Sequence, residues 1–469
     1  MMTEELALKT ISEIYPFIKK KDISPVDITT SLFHRIEKLD AVINSYISIR
    51  KEAAIKEAKE AEQKIQSGSY LGKLHGIPLA LKDIFHFKNE TVTMGSKIHG
   101  NYKPEEDATV VKLLKDAGAI FTGKLNMHEY ACGGTTNNEH YGACRNPWNM
   151  DKIPGGSSGG SAAAVSAHLT FGSLGTDTAG SIRIPSAACG TVGLKPTYGL
   201  VSKHGCFPLA WSLDHVGPIA KTVEDAAILL DAIVGFDPED PNSVQSTERN
   251  YYDSLNPDIK GKIIGIEEEF YFNFVDQSIV DTVRSSIQKM EELGAKVEII
   301  KMPHLKYAPF AEFTTFVSEA GVIHKKNIQT RPDDFGSDVK MLMKASHVIS
   351  AGEYIEAQQI RQLIKEDFEK AFKQVDFMIA PTLPMTTPDI GAKFTMINGV
   401  ERSVDEDIIR LTCPANLTGL PAISVPCGLV NDLPVGLQII GKAFAEKEIL
   451  NAAYALEQVV SFNQTPAGI

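Results

Sequence analysis

Two serines and one lysine are the residues whose types and settings could do chemistry in this chain. Ser157 stands in GGSSGG and Ser181 in DTAGSIR, 24 positions later, and each follows a glycine. Both lie between positions 154 and 196, where glycine, serine and alanine crowd beyond what turns need. Small residues let backbone approach a ligand, and glycine reaches dihedrals that other residues avoid. Either hydroxyl could therefore be presented beside free backbone N–H groups. Lys82 lies in the apolar run LALKDI. On spacing alone such a lysine is read as one that snorkels to the surface.

Three other readings compete for the glycine-rich run. G-G-S-S-G fits the G-x-S-x-G nucleophile elbow, with Ser157 or Ser158 as nucleophile, but that elbow needs a strand immediately before it. The preceding residues, RNPWNMDKIPGG, carry two prolines and an aspartate and do not make a central strand. A phosphate-binding loop requires a lysine that GGSSGGSAAA lacks. Close backbone packing without chemistry is the third reading.

The GGSSGGS run, the DTAGSIR run and the upstream HGIPLALKDIF together resemble the amidase signature family of serine hydrolases. The likeness continues through GKLNMHEYACGG, NPWN, GLKPTYGLVS, SLDHVGPIAKTVEDAA, APT, GLPAISVPCG and LPVGLQIIG, and so covers almost the whole chain. It implies that Ser181 is the acyl-forming nucleophile, Ser157 the cis-peptide serine and Lys82 the buried base. Thr178, Ala179 and Gly180, with Ser181 itself, are implied as the oxyanion hole. Many relatives carry two glycines there, and Ala179 departs from that pattern. Ala131, Cys132, Gly133 and Gly134 match the segment that lines the acyl site in relatives, and Asp177 and Arg183 read as supports of the nucleophile turn.

That chemistry also makes sense from below. A serine hydroxyl attacks a carboxamide poorly until a base takes its proton. Lysine can be that base only when neutral, which requires burial among apolar side chains, and the residues before Lys82 supply them. The proton passes from Ser181 through Ser157 to Lys82 and then to the leaving amine, because an amine is expelled only when protonated.

Composition narrows the partners. The chain has 469 residues, of which 43% are hydrophobic and 23% charged, with a formal charge of −12. These are the proportions of a globular protein with a sizeable core, and no basic run reads as a nucleic-acid footprint. The N-terminus, MMTEELALKTISEIYPF, lacks the features of a signal peptide, and no apolar segment reaches the ~18 residues of a membrane span. A cytoplasmic protein without membrane contact is expected. The six cysteines, at 132, 144, 189, 206, 413 and 427, include no C-x-x-C pair and read as free thiols. No H-E-x-x-H occurs, so no zinc is expected, and the triad and oxyanion hole that the resemblance implies require neither a metal nor an organic cofactor.

The elements that must position the three residues follow the α/β pattern. Ser24-Pro25-Val26-Asp27 opens a helix running to about Leu39, with serine as cap and proline at the first position. Residues 51–66 form another helix. HGIPLALKDI reads as a buried strand edge or loop, and 108–124 as a helix ending near Gly118 and then a strand. Thr222 caps a helix that Gly235 can close in the left-handed conformation. Strands at 262–266, AKVEII and FMIA, and helices at 277–293 and 354–373, continue the alternation.

The expectation is one large α/β domain over 1–469, with a mixed central sheet flanked by helices as the resemblance implies. N-terminal helices occupy about 1–66, the core with the serine and lysine motifs about 67–235, a linker 236–243, and a C-terminal half about 244–469. The expected activity is hydrolysis of a linear carboxamide, a small aryl or aliphatic amide, through a serine acyl-enzyme; carbamates and esters fit the same route. A small-molecule amide is the expected partner, and a homodimer is compatible with it. Phe207, Leu209, Trp211, Phe310, Phe313 and Phe316 either line a hydrophobic pocket or are core, core being expected for most. The alternative within the family is the glutaminase component, the A subunit, of a tRNA-dependent glutamine amidotransferase. Arg361 falls where that component's carboxylate-binding arginine would lie, but Ile409 stands at the place of its amino-binding acid, with Asp405 and Asp407 out of register. Outside it stand a Glu-Lys-Cys amidase with a cysteine nucleophile and a binding protein on a degenerate fold.

Overall fold

A computed structural model describes residues 3–246 and 248–469. Eleven strands form one mixed sheet. In spatial order they are Tyr46–Ile49, Ile120–Leu125, Pro78–Lys82, Gly172–Asp177, His215–Ala220, Val192–Lys195, Ala422–Val430, Leu433–Ile440, Phe377–Pro381, Ile263–Ile266 and Lys296–Ile299. Pro78–Lys82 lies parallel to both of its neighbours, Ile120–Leu125 and Gly172–Asp177. All five of its residues are buried. Parallel strands covered on both faces read as continuous apolar runs, which is why PLAL precedes the lysine and why this segment is a central strand rather than an edge. Helices flank the sheet, Arg183–Cys189 against Leu433–Ile440 and Glu446–Val460 against Ala422–Val430 among them, and one continuous apolar core runs from Leu6 to Leu456. The chain is therefore a single domain, with the sheet and its flanking helices arranged as the resemblance implies.

Local signals and structure agree at most helix ends. Ser24 accepts from Val26 N–H at 3.0 Å and opens the helix Pro25–Ile43. Lys51–Gln66 and Thr109–Asp116 fall where their amphipathic patterns lie. Thr222 accepts from Asp225 N–H at 3.1 Å and caps Val223–Ile233, but that helix ends differently from expectation. Its C-cap, Val234, is extended at φ −73° and ψ 136°, and Val201 bridges it in an isolated β-contact. The chain leaves this helix by β-pairing, so no left-handed glycine is needed at Gly235.

The long helix begins at Ala351, three residues before the expected position, because Ser350 and Glu353 form a reciprocal capping box. Two hairpins carry signals that the residue patterns above do not use. Asn398-Gly399 and Asn431-Asp432 all have positive φ, the backbone of a two-residue hairpin turn. They join Phe394–Ile397 to Val400–Ser403 and Ala422–Val430 to Leu433–Ile440. In residues 236–243, Asp237 accepts from Ser202 and Thr109 hydroxyls and Asp240 from Lys203 N–H. Among the described residues no helix is long and apolar enough to cross a membrane.

Candidate active site

Because Pro78–Lys82 and Gly172–Asp177 run parallel, their carboxyl ends share one edge of the sheet, where open α/β sheets collect their ligands. Lys82 ends the first strand and Thr176-Asp177 ends the second. Lys82 Nζ lies 2.7 Å from Ser157 Oγ and 2.7 Å from Thr176 Oγ1. Burial pushes the Lys82 ammonium down to about 7, although Cys206, Asp214 and Asp177 pull it back up. The snorkelling that spacing alone favours does not occur, because the strand is sealed on both faces.

Ser157 sits in the loop before the helix Gly159–Ser166, and no strand precedes it, so a nucleophile elbow is absent. Its peptide with Gly156 is cis. Its carbonyl accepts from His128 N–H at 3.1 Å, and Ser158 N–H donates to the Ser181 carbonyl at 3.3 Å. The two serine turns are thereby tied together. Part of the glycine crowding is packing: a Cβ on Gly160 would meet Asn126 N at 2.6 Å.

Ser181 follows the strand Gly172–Asp177 and precedes the helix Arg183–Cys189. It keeps 7% exposure whereas Lys82 and Ser157 keep none, so it is the one of the three that solvent touches. The backbone N–H groups of Ala179, Gly180 and Ser181 donate to nothing among the described residues. Thr178 is anchored through its hydroxyl to Asp214 at 2.6 Å, and Thr412 Oγ1 donates to the Ala179 carbonyl at 2.6 Å. Gly180 has φ +132°, and a Cβ there would collide with Thr412 Oγ1.

Asp177 holds this turn from below. Its carboxylate accepts from Ile182 N–H at 3.2 Å and from Arg183 Nε at 3.1 Å. Burial raises the Asp177 carboxyl, but Arg183, Lys195 and Asn416 together hold it well below the usual range. Asn416 donates to the Asp177 side chain at 2.8 Å and to its carbonyl at 3.0 Å. Gln438 accepts from Arg183 Nη1 at 3.1 Å.

The loop of Ala131, Cys132, Gly133 and Gly134 packs beside the Ser157 turn: a Cβ on Gly156 would meet Thr135 N at 2.8 Å and Gly134 C at 2.9 Å. Ala131 also lines a cavity of about 170 Å³ with Thr176, Cys206, Phe207, Leu209 and Trp211. The six hydrophobic candidates therefore divide. Leu209 is buried and Phe207 packs against the core, while Trp211, Phe310 and Phe313 are exposed and Phe316 half-buried. Core placement fails for those three exposed rings, which lie on a loop and on the outer face of the helix Ala308–Thr330.

Arg361 donates to Ser212 Oγ at 3.0 Å, to Ser212 O at 2.8 Å and to Leu417 O at 2.5 Å. Burial pushes all six thiols upward, Cys206 to about 12. Asp214 and Gln438 lie inside the resemblance segments SLDHVGPIAKTVEDAA and LPVGLQIIG, but the sequence assigned no role to them or to Thr176, Thr412 and Asn416. Thr176 and Gln438 reach the site through strand adjacency, and Asp214, Thr412 and Asn416 through loop and helix packing, so their places appear only in the assembled fold.

The large mixed sheet flanked by helices is the architecture of a family of amide-hydrolysing enzymes. The chain belongs to the amidase signature family: the family model described as Amidase matches residues 27–450. A curated relative, the A subunit of the glutamyl-tRNA(Gln) amidotransferase from Carboxydothermus hydrogenoformans, is 41% identical over 484 residues, spanning 98% of this chain and 99% of the relative. Among solved structures, a chain from a vestigial protein complex bearing on the origins of an s-triazine catabolic enzyme superposes with TM-score 0.92 at 33% identity, over 96% of this chain and 98% of that one. A bacterial aryl acylamidase superposes with TM-score 0.91 at 29% identity, over 98% of this chain and 99% of that one.

Proposed function

We propose that this chain hydrolyses a linear carboxamide through an acyl-enzyme on Ser181, with Ser157 as proton relay and Lys82 as base. The observation that carries the reading is the buried Nζ of Lys82, 2.7 Å from the Ser157 hydroxyl and lowered to about 7. A neutral amine has one lone pair, which accepts the Ser157 proton while Ser157 accepts that of Ser181. Ser181 Oγ then bonds to the amide carbon. The unpaired N–H groups of Ala179, Gly180 and Ser181, with Thr178 beside them, receive the negative oxygen. The ammonium returns its proton to the leaving nitrogen, the C–N bond breaks, and ammonia or an amine departs. Water, deprotonated along the same route, releases the carboxylate and restores Ser181.

A cysteine nucleophile is disfavoured because every thiol sits where burial opposes the thiolate. Small aryl or aliphatic amides are the expected substrates, and esters or carbamates share the route. The chain is expected to work alone in the cytoplasm.

A second reading, the glutaminase component of a tRNA-dependent amidotransferase, is favoured by the name that the curated relatives carry over almost the whole chain. Weighing against it, Arg361 spends its donors on Ser212 and Leu417, and Ile409 offers no carboxylate to an amino group.

The test is a panel of amides, esters, carbamates and glutamine assayed with the purified chain, beside a fluorophosphonate and a thiol alkylator. Hydrolysis of simple amides, labelling at Ser181 and survival of activity after alkylation are expected. Glutamine as the preferred substrate, together with co-purification of two further subunits, selects the second reading. Labelling at Ser157 or at a cysteine overturns the nucleophile assignment.

A further inference from the structure

We infer that Thr176 is a positioning residue for the base, aiming the lone pair of Lys82 at Ser157; this rests on the acyl-enzyme reading above. Nζ of Lys82 has two hydrogen-bond partners among the described residues, Ser157 Oγ and Thr176 Oγ1, both at 2.7 Å. A neutral amine carries two N–H bonds and one lone pair. Rotation about the terminal C–N bond decides which of the three faces Ser157. When Thr176 Oγ1 accepts one N–H, the orientation that turns the lone pair to Ser157 is favoured. Without that acceptor an N–H can swing toward Ser157 instead and leave no site for its proton.

The main chain of the same residue holds Ser158, the neighbour of the other partner in the transfer. Thr176 N–H donates to Ser158 Oγ at 3.3 Å, and Ser158 Oγ lies 3.2 Å from the Thr176 carbonyl. One residue thus grips the lysine through its side chain and the Ser157-Ser158 turn through its backbone. It stands on a six-residue strand buried throughout, and its β-branch restricts the rotation of Oγ1. Thr176 also lines the cavity with Cys206 and Asp214.

Besides Ser157 and Thr176, the charged and titratable groups that act on Lys82 are Cys206, Asp214 and Asp177. An uncharged acceptor such as Thr176 Oγ1 bonds more strongly to an ammonium than to an amine. Removing it therefore moves the acid limb of the pH profile to lower pH while slowing the reaction at every pH. A merely structural role in packing predicts neither effect.

The test uses the full chain with Thr176→Val, which keeps shape and loses the hydroxyl, and Thr176→Ser, which keeps the hydroxyl and loses the methyl. The rate at which a fluorophosphonate labels Ser181 is read from about pH 5 to about pH 10, a range bracketing a lysine lowered by burial. Alongside it, kcat and KM are measured on the fastest amide of the panel. For Thr176→Val, labelling and kcat are expected to fall about 10- to 100-fold, the lower part of the range for general-base effects. KM should hold, the pH midpoint should drop, and Thr176→Ser should recover most of the rate. Should Thr176→Val fail to fold, Thr176→Ala is read in the same way. Wild-type labelling and midpoint in the valine or alanine variant, or a serine variant as slow as the valine one, overturns the inference. Lys82→Ala in parallel separates the two claims: if it labels normally the base assignment itself fails, and if it alone is inactive only the role of Thr176 fails.

Discussion

Arg183 grips both carboxylate oxygens of Asp177, at 3.1 Å through Nε and 3.0 Å through Nη2, and the two residues bracket the turn that carries Ser181. Neither side chain of the pair is exposed. Asp177 in addition accepts from the Ile182 N–H, so the ion pair and the start of the following helix are one unit.

Replacing Asp177 with asparagine leaves the Arg183 guanidinium buried without its counter-charge. Breaking one side of a buried pair costs about 3–5 kcal/mol. Asp177→Asn is therefore expected to lower the urea midpoint strongly and to reduce kcat on amides, since the Ser181 turn loses its anchor. An unfolding curve that overlays the wild type would remove this role from the pair.

On the proposed mechanism the acid side of the rate profile belongs to Lys82. Its pKa is lowered to about 7, so the neutral base predominates above that pH and the inactive ammonium below it. Amide kcat/KM should fall as pH drops through about 7. In Lys82→Ala both proton acceptance and proton return are lost, so amide hydrolysis should fall by about 10²–10⁴. Ester hydrolysis should fall less, because its leaving group needs less protonation. Equal losses on matched amide and ester substrates would contradict proton return by Lys82.

Keeping a lysine buried costs stability, and the sign can be worked out. The folded-state pKa is about 7 against an ordinary value of 10.5. Between these values the unfolded chain binds a proton that the folded chain does not, so wild-type stability rises with pH across that window. Lys82→Met should melt higher than the wild type near pH 7, and the gap should narrow as pH climbs towards 10. A gap that stays constant from pH 7 to pH 10 would mean that the lysine is not held neutral by the fold.

Gly180→Ala tests the turn before Ser181, the proposed nucleophile. At φ +132° an alanine is strained, and its Cβ meets the Thr412 hydroxyl. The N–H groups of Ala179, Gly180 and Ser181 should shift from their positions, with kcat down about 10²–10³, the scale of losing one oxyanion donor. KM should change little. An alanine variant with wild-type kcat would exclude the turn from charge stabilisation.

Much of this protein was already determined by its residues taken in order. Caps and patterns such as Ser24-Pro25 and Thr222 work within a few residues of chain, where the physics is local. The expected starts of those helices are therefore the observed ones. The motifs around Ser157, Ser181 and Lys82 pointed to an amide hydrolase by resemblance, and the family match agrees.

What the order of residues left open is whatever depends on which strands lie side by side. Lys82 in LALKDI reads equally as a snorkelling surface lysine, because its burial is decided by Ile120–Leu125 and Gly172–Asp177 closing on either side of its strand. Thr176 became a partner of that lysine, 94 positions away, only through the parallel pairing of their two strands. Gly235 offered a local stop that went unused, because Val234 pairs with Val201, a contact made across the fold. The cavity beside Thr176, and the exposure of Trp211 at its rim, likewise follow from where distant loops meet. Hydrogen bonds and burial among residues far apart in sequence cost loop-closure entropy that only the assembled core offsets, so the tertiary structure alone decided them.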